Sequence, residues 1–287
     1  MKVAVSGAGG FIGTHLLAAF KAQGWEVSAL HTADFGLDDA AFGQKLSGAD
    51  IVVHLAGASI NKRWTQAYKK VLYASRVETA KKIVRAMAKS QHKPKLFICT
   101  SAVGIYAPTG QHNEEEASYA DDFLGRLARD WESAAAEGKT LGIRTVIFRY
   151  GIVLGQGGGI LKEMLLPFSL GLGGTIGDGS QNFSWVHIDD LVRAYLFAVE
   201  HPDMEGVYNL MAPNPTTNYG LTKALGAALH RPTFLCVPKF LLKLRFGSEA
   251  AEALAGGQYA TPKRLPEAGF EFEFKTIEAA INDLFGD

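Results

Sequence analysis

The chain has 287 residues, of which 47% are hydrophobic, and its 29 Lys and Arg balance its 29 Asp and Glu. This length suits one large domain or two of modest size. The formal net charge of zero argues against a protein whose whole surface binds nucleic acid or a membrane, because such surfaces carry an excess of cations.

The first half of the chain alternates short apolar strands with helical segments. This alternation is typical of a parallel sheet covered on both faces, and right-handed crossovers make such a sheet doubly wound. We therefore predict an α/β fold with a doubly wound Rossmann-type parallel sheet. The predicted strands cover residues 2–6, 26–31, 50–56, 95–101 and 144–149, and the predicted helices cover residues 14–23, 65–90 and 123–137.

The pattern changes in the second half, where two glycine-rich segments occur at residues 155–159 and 171–179. We predict a strand over residues 184–188, a helix that Asp189 caps, and a last strand over residues 207–210. Two or three further helices follow, in a smaller C-terminal lobe over the carboxyl-terminal edge of the sheet. The predicted division assigns residues 1–154 and about 183–210 to a dinucleotide-binding domain, and about 155–182 and 211–287 to a substrate lobe.

A glycine-rich turn joins the first predicted strand to the first helix. Gly7 suits a sharp turn, Gly10 lets the backbone approach a pyrophosphate, and Gly13 lets the helix pack closely on the sheet. The helix N-terminus offers free N–H groups and the positive end of its dipole. A glycine turn without a dinucleotide is the weaker alternative, because strand, turn and helix occur together. We predict a dinucleotide phosphate site at Gly7, Gly10, Phe11, Ile12 and Gly13.

The spacing GxxGxxG, with the segment HLAG at residues 54–57, resembles the extended branch of the short-chain dehydrogenase/reductase superfamily. Further motifs carry the resemblance over nearly the whole chain to atypical NAD(P)-dependent epimerase/dehydratase-like proteins with a family-specific C-terminal region, described as nucleoside-diphosphate-sugar epimerases. The resemblance implies the fold and an NAD(P) cofactor, but it does not settle the substrate. These motifs are residues 62–65 (KRWT), 75–77 (SRV), 101–104 (SAVG), 170–174 (LGLGG), 184–191 (SWVHIDDL), 212–215 (APNP) and 267–270 (EAGF).

The same resemblance implies cofactor contacts beyond the glycine turn. The alternative for Arg76 is that it is one more surface cation of a basic helix and does not contact the cofactor. Leu55 and Val153 can belong to the core and still touch the nicotinamide. The implied contacts are Leu55, Ala56, Gly57, Arg76, Thr100 and Val153.

The end of the second strand bears on the choice between NAD and NADP. An NAD site has an acidic residue there for the ribose 2′-hydroxyl, whereas an NADP site has a basic one. This strand ends at His31 and Thr32, which can donate hydrogen bonds to a phosphate, and relatives often have Arg in place of Thr32. NADP is therefore the predicted cofactor, with NAD as the alternative because Asp34 can still reach a ribose. The segment before Asp50 is short, and we expect it to lack the usual crossover helix.

The acid–base pair typical of short-chain enzymes is missing. These enzymes carry Tyr-x-x-x-Lys on the helix that follows the strand with the active-site serine, which corresponds to residues 95–101 here. The lysine lowers the pKa of the tyrosine. The helix over residues 123–137 has neither residue type, in common with the relatives it resembles. Two such strings begin at Tyr219 and Tyr259, but they lie far from this helix, and we interpret both as chance.

Polar groups at the end of the predicted strand over residues 95–101, or just after it, are then the candidates for catalysis. Ser101 or Thr100 can donate a hydrogen bond to a substrate carbonyl, and Tyr106 can act as a displaced acid near the nicotinamide. The alternative for Tyr106 is a loop aromatic residue that packs on the cofactor. We predict Ser101 and Tyr106 as the catalytic residues.

Four residues are candidates for the substrate side: Arg63, Trp64, Trp185 and His187. An arginine after the third strand can meet a substrate phosphate, although a surface role is equally consistent. His54 lies within an apolar strand and is interpreted as a hydrogen-bonded core histidine. No metal-ligand spacing occurs, and no metal is predicted.

Opposite charges concentrate in two stretches. Residues 62–95 carry 11 Lys or Arg and one acidic residue, whereas residues 113–137 carry eight Asp or Glu and two Arg. We predict that these charges complement each other within or between subunits, with a homodimer through the helices at 65–90 and 123–137. Two solvated helix faces are the alternative. No groove-reading motif accompanies the basic helix, so no nucleic-acid partner is predicted.

Two function classes follow from these features. The first is an NADP(H)-binding epimerase or oxidoreductase acting on a small carbonyl or nucleotide-sugar substrate. The alternative is an NADP(H)-binding sensor that has lost turnover, which the missing Tyr–Lys pair permits. Two isolated cysteines indicate a reducing compartment, and we expect a cytoplasmic protein with no membrane partner because no apolar run reaches about 18 residues.

Overall fold

Six parallel strands form the central sheet of the computed structural model, which describes residues 1–286, without the side chains of Lys239, Leu254 and Ala255. The described residues contain fourteen strands, of which six form this sheet and eight form two-stranded pairs. They are β1 (Lys2–Ser6), β2 (Glu26–Leu30), β3 (Ile51–His54), β4 (Leu96–Ala102), β5 (Gln111–His112), β6 (Arg144–Tyr150), β7 (Ile152–Leu154), β8 (Gly174–Ile176), β9 (Asn182–Phe183), β10 (Trp185–His187), β11 (Gly206–Leu210), β12 (Thr216–Thr217), β13 (Leu235–Val237) and β14 (Tyr259–Ala260). The sheet order is β2-β1-β3-β4-β6-β11.

Twelve α-helices surround or follow the sheet in the described residues. They are α1 (Phe11–Ala22), α2 (Asp39–Leu46), α3 (Gln66–Tyr73), α4 (Thr79–Lys89), α5 (Phe123–Ala136), α6 (Gly159–Ser169), α7 (Ile188–Glu200), α8 (Asn218–Ala228), α9 (Lys239–Phe246), α10 (Ser248–Gly256), α11 (Arg264–Glu267) and α12 (Ile277–Phe285). No helix among these residues is long and apolar enough to cross a membrane.

Both faces of the sheet are covered, as the doubly wound prediction requires. Successive residues of a strand point to opposite faces, so Val3 and Val5 join one core while Ala4 joins the other. The first core contains side chains of α1 and α7. The second contains side chains of α2, α3, α4 and α5. The predicted Rossmann-type fold is therefore confirmed.

Two predictions about the first half need correction. The crossover between β2 and β3 keeps a helix, α2, which buries Phe42 and Leu46 in the second core. The predicted helix over residues 65–90 consists of α3 and α4, joined by one π-helical turn at Ala74–Glu78. Such turns are frequent at functional sites, and this one carries Arg76.

The C-terminal region has more helices than predicted, namely α8 to α12. A third hydrophobic cluster lies there and joins α6, α8 and α12 to Trp185 and Phe274. Asp190, at the start of α7, is fully buried and accepts hydrogen bonds from the backbone N–H groups of Glu273 and Phe274, each at 2.9 Å. The assignment of separate dinucleotide and substrate domains stays a prediction.

Candidate functional site

The glycine turn brings three segments of backbone close together. Gly7 has a positive φ of 73°, and a Cβ there would lie 2.9 Å from Ala56 N. Gly10 donates its N–H to Gly7 O at 3.0 Å and is the N-cap of α1. A Cβ at Gly13 would lie 2.3 Å from Gly7 O. Side chains at Gly7 or Gly13 would therefore force the turn away from α1 and the end of β3.

A second glycine segment packs on the first through Phe11. A Cβ at Gly158 would lie 2.2 Å from Phe11 Cδ2, and a Cβ at Gly155 would lie 2.7 Å from Phe11 Cζ. The ring of Phe11 therefore occupies space that only glycines leave free. The sequence identified each glycine segment separately, but nothing in it indicated that the two meet.

An open cleft of about 490 Å³ lies where these segments meet. The N-terminal ends of α1 and α6 both line it, and neither helix has an acidic residue in its first turn. Helix N-termini attract anions through free N–H groups and the helix dipole. The lining residues are Gly9, Gly10, Phe11, Thr14, His15, Gln156, Gly157, Gly158 and Lys162.

Lys162 is a candidate site residue that the sequence analysis did not identify. It is exposed and lies on the first turn of α6, within the lining of the cleft. The signal that would have found it is a lysine shortly after a glycine run that begins a helix. With Lys162, the cleft combines two helix N-termini and a cation, and this arrangement suits a phosphate or pyrophosphate.

The acidic residue near the second strand is held by the protein itself. Asp34 is buried and accepts hydrogen bonds from the His31 N–H at 2.7 Å and from Lys45 Nζ at 2.5 Å. Burial alone would raise the pKa of Asp34, but these hydrogen bonds outweigh it and lower the pKa. Asp34 is therefore occupied by internal partners, while His31 and Thr32 are exposed at the end of β2.

Arg76 lies beneath the backbone that follows β3. Its guanidinium donates to Ala58 O at 3.0 Å, and a Cβ at Gly57 would lie 2.9 Å from its Cζ. Burial lowers the pKa of Arg76 to about 10, and within residues 1–286 the group forms no salt bridge. Arg76 is partly buried, and a cation that is shielded from water without a counter-ion is costly, so this position favours an anionic ligand.

The other predicted cofactor contacts lie at the same edge of the sheet. Leu55 and Val153 are partly buried and pack against the first core. This agrees with the expectation that both can belong to the core and still reach a cofactor. Ala56 is also partly buried. Thr100 donates its hydroxyl to His54 O at 3.1 Å, so it is already engaged with the neighbouring strand.

The two predicted catalytic residues are enclosed. Ser101 is 1% exposed and donates to Glu132 Oε1 at 2.6 Å. Tyr106 is 0% exposed, and its hydroxyl donates to Asn209 Oδ1 at 2.7 Å. Both hydroxyls lie within the protein and face no open surface, so the structure places them in a structural network and not at a substrate site.

Arg149 completes this network. It forms a two-point salt bridge with Glu132, at 2.8 and 2.7 Å, and donates to the Tyr106 hydroxyl at 2.8 Å. Burial alone would lower the pKa of Arg149, but the hydrogen bonds to Glu132 raise it. Burial raises the pKa of Tyr106 to about 12. A buried phenol of this kind is a poor proton donor at neutral pH.

The predicted substrate residues divide into one exposed residue and three buried ones. Arg63 is exposed and donates to Leu244 O at 3.3 Å. Trp64 is 9% exposed and donates its indole N–H to Ile60 O, whereas Trp185 belongs to the third cluster. His187 is also buried, against the ring of Phe274. Burial leaves these three side chains no face for a substrate, so their predicted role needs correction.

His187 also takes the capping role predicted for Asp189. It is the N-cap of α7, and its Nδ1 accepts the Asp189 N–H at 3.2 Å. Its Nε2 lies 3.4 Å from Asp283 Oδ2. These three residues bring metal-ligand atom types within 4.8 Å of one another, which the sequence spacing did not indicate. Because Nδ1 accepts a hydrogen bond, the ring proton belongs on Nε2, where it faces the carboxylate.

The basic helices pair mainly with residues outside the acidic stretch. Lys82 and Arg85 both pair with Asp39 on α2, and Lys69 pairs with Glu249. Their contacts with α5 include a hydrogen bond from the Tyr73 hydroxyl to Asp130 at 3.0 Å and the packing of Arg76 over the Trp131 ring. The predicted homodimer through these helices stays a prediction.

Comparison with known proteins identifies the family. Residues 3–211 match the model of the NAD dependent epimerase/dehydratase family, and residues 237–284 match a domain of unknown function, DUF1731. The chain is 38% identical over 295 residues to the epimerase family protein SDR39U1 of Bos taurus, covering 99% of each. It is 35% identical over 301 residues to the epimerase family protein YfhF of Bacillus subtilis, covering 100% of this chain and 99% of the relative.

Solved structures agree with this assignment. The crystal structure of human SDR39U1 with NADPH superposes with a TM-score of 0.89 at 34% identity, covering 99% of each chain. UDP-glucuronic acid 4-epimerase from Bacillus cereus superposes with a TM-score of 0.79 at 18% identity, which shows a shared fold. The family match covers most of the sequence and the relatives match from end to end. The chain therefore belongs to the NAD dependent epimerase/dehydratase family.

Proposed function

We propose that this protein binds NADP(H), with the pyrophosphate in the cleft between α1 and α6. The observation that carries the proposal is that two glycine-led helix N-termini and Lys162 line one cleft. A pyrophosphate needs N–H donors and positive potential without obstructing side chains, and the cleft supplies all three. The human relative was crystallised with NADPH, which supports the same cofactor here.

The preference for NADP over NAD rests on Asp34. A free carboxylate at the end of β2 would bind a ribose 2′-hydroxyl and repel a 2′-phosphate. Here Lys45 and the His31 N–H occupy that carboxylate. His31 and Thr32 are exposed beside it, and their side chains would hold the phosphate through hydrogen bonds. Arg76, which lacks a carboxylate partner in the described chain, adds positive charge behind Gly57.

The reaction that we propose is oxidoreductase or epimerase chemistry on a small carbonyl or nucleotide-sugar substrate. The bound nicotinamide supplies hydride transfer in such reactions. Among the predicted site residues, Thr100 near the end of β4 is partly exposed, and Arg63 after β3 is exposed. These two side chains can therefore reach a substrate. Arg63 would hold an anionic substrate group by hydrogen bonds.

A second candidate function is an NADP(H)-binding sensor without turnover. Two observations favour it: α5 lacks the Tyr–Lys pair, and Ser101 and Tyr106 are committed to a buried network. We expect the protein to reside in the cytoplasm, in keeping with its free thiols at Cys99 and Cys236.

Two measurements test the cofactor site and distinguish an enzyme from a sensor. In the first, thermal stability is followed with NADPH for the wild type and for Gly13→Ala, whose Cβ would meet Gly7 O. We expect NADPH to raise the melting temperature of the wild type only; an equal rise in both proteins would refute the proposed site. In the second, NADPH oxidation is followed with carbonyls and nucleotide sugars. Turnover with any of them supports the enzyme, and tight binding without turnover supports the sensor.

A further inference from the structure

Large exposed apolar side chains are concentrated in one part of the sequence. Most of the exposed ones in the described chain fall between Leu166 and Leu244. Exposed apolar patches on soluble proteins generally mark sites of protein or membrane contact. The set comprises Leu166, Leu170, Leu172, Tyr219, Phe234, Leu235, Phe240, Leu241 and Leu244.

Helix α9 is the centre of this surface. None of its described side chains is buried, although most are apolar. Phe246 packs partly against the second core, and on the outward side Phe240, Leu241 and Leu244 are 60%, 44% and 68% exposed. An apolar stripe left exposed in this way indicates a binding surface.

Several contacts fix α9 to the rest of the protein. Trp64 donates its backbone N–H to Phe246 O at 3.1 Å. Arg245 pairs with Glu163 at 3.2 Å, which brings α9 beside α6. On α6, Leu166 is exposed, and Leu170 follows at its end. We call the surface formed by Leu166, Leu170, Phe240, Leu241 and Leu244 the α6–α9 face.

The stretch of sequence that contains α9 carries an excess of positive charge. The chain contains no acidic residue between Glu205 and Glu249, but it contains five basic ones: Lys223, Arg231, Lys239, Lys243 and Arg245. At about 3.6 residues per turn, Lys243 and Arg245 lie on opposite sides of the stripe formed by Phe240, Leu241 and Leu244. Their partners, Glu252 and Glu163, form solvent-exposed pairs, which contribute little and can be exchanged.

This charge pattern disfavours a second copy of the chain as the occupant. A two-fold contact sets the same patch on both subunits, so the excess of positive charge between residues 206 and 248 would oppose itself. A bilayer that contains anionic lipid provides both apolar depth for the stripe and negative charge for its flanks.

We propose that the α6–α9 face docks on the surface of a membrane that contains anionic phospholipid. The docking is peripheral, with the apolar stripe of α9 in the headgroup region and Lys243 and Arg245 at the phosphates. This departs from the expectation of no membrane partner, which rested on the net charge of zero and on the lack of a long apolar run. Here the positive charge is local and the contact does not span the bilayer. The proposal goes beyond cofactor binding and does not depend on the identity of the substrate.

The test is co-sedimentation of the purified chain with vesicles of phosphatidylcholine alone or with about 30% phosphatidylglycerol. We expect binding only to the mixed vesicles, and weaker binding as salt screens the charges. Replacement of the stripe by Phe240→Ser with Leu244→Ser should lower the bound fraction at least about tenfold. The matched control, Leu37→Ser with Val71→Ser, removes exposed apolar side chains elsewhere and should bind as the wild type does.

NADPH affinity is measured on every variant as a control. It shows whether a variant is folded and whether its cofactor site is intact, independently of vesicle binding. Equal NADPH affinity with lost vesicle binding supports the docking face. Absence of binding to the mixed vesicles by the wild type would overturn it. A wild type that sediments as a dimer, and that Phe240→Ser with Leu244→Ser converts to a monomer, would also overturn it, because the face would then bind its own copy.

Discussion

The ring of Phe11 fills the space that a side chain at Gly158 would need. A Cβ on Gly158 would lie 2.2 Å from Phe11 Cδ2 and 2.8 Å from Phe11 Cβ. The two residues belong to different glycine segments, one at the start of α1 and one at the start of α6. Their contact sets the separation of the two helix N-termini that line the cleft.

Gly158→Ala should therefore disturb the site through Phe11. The backbone of Gly158 is extended, so alanine is conformationally acceptable and only the space is lacking. We expect a loss of about 1–3 kcal/mol in the free energy of unfolding and weaker NADPH binding. In a Phe11→Ala background the same substitution should cost less, because the ring is absent. Urea unfolding of the four proteins measures this coupling; equal costs in both backgrounds would rule out the contact.

Lys162→Ala should weaken NADPH binding by about tenfold, because a charge-assisted contact to a phosphate is lost. The dependence of affinity on salt should also become shallower. Lys21→Ala is the matched control, since Lys21 is exposed in the last turn of α1, away from the cleft. Titration at two salt concentrations checks both effects, and equal affinities of the two variants would exclude Lys162 from the site.

Thr32→Arg should tighten NADPH binding. Thr32 is exposed at the end of β2, and Asp34 beside it is engaged with Lys45, so an added guanidinium would be free to pair with a 2′-phosphate. We expect a gain of about tenfold for NADPH and little change for NADH. Fluorescence titration of both cofactors measures the difference. Unchanged or weaker NADPH binding would exclude the end of β2 as the 2′-phosphate site.

His54 should make stability depend on pH. Its Nδ1 lies 2.8 Å from Ser6 Oγ, and burial lowers its pKa to about 4. The unfolded chain takes up this proton nearer pH 6.5, so stability falls as the pH is lowered from about 6.5 to 4. The slope is at most about 1.4 kcal/mol per pH unit for this group, and buried His187 adds in the same direction.

His54→Gln should flatten that pH dependence, because the amide does not titrate. His92→Gln, at an exposed position, should leave it unchanged. Urea unfolding between pH 4.5 and 7 compares the three proteins, and the same slope in all of them would show that His54 is not the titrating group.

Tyr106→Phe tests whether the buried network is structural. The change removes the hydroxyl that bonds to Asn209 and Arg149, and we expect a loss of about 1–3 kcal/mol in stability. NADPH affinity and any turnover per folded molecule should stay as in the wild type. Loss of turnover with unchanged stability would instead restore Tyr106 as a catalytic residue.

The sequence predicted the fold well because its signals are local. The strand–turn–helix pattern around Gly7 and Gly13 identifies a Rossmann start, and alternating apolar strands identify the sheet. The site was predicted less completely, because its decisive features are long-range. Nothing near Phe11 indicates that its ring meets Gly158, and nothing near Asp34 indicates that Lys45 will occupy it.

Burial was the other property that local patterns did not provide. Ser101 lies near the end of a buried strand in the position expected for catalysis, but Glu132, 31 residues later, accepts a hydrogen bond from its hydroxyl. Trp185 and His187 lie in the motif at residues 184–191, which contains several polar residues, yet both are buried, and Phe274 of the C-terminal segment packs on His187. Partners far along the chain decide whether such residues face solvent or the core.

The proposed NADP(H) site is best tested by titration of the cofactor-free protein with NADPH and with NADH, followed by nicotinamide fluorescence. We expect saturable binding of NADPH, clearly tighter than that of NADH, because the cleft between α1 and α6 holds the pyrophosphate and no free carboxylate opposes a 2′-phosphate. Failure to bind either nucleotide would mean that the glycine segments only pack the fold, and tighter binding of NADH would contradict the assignment of the second-strand end.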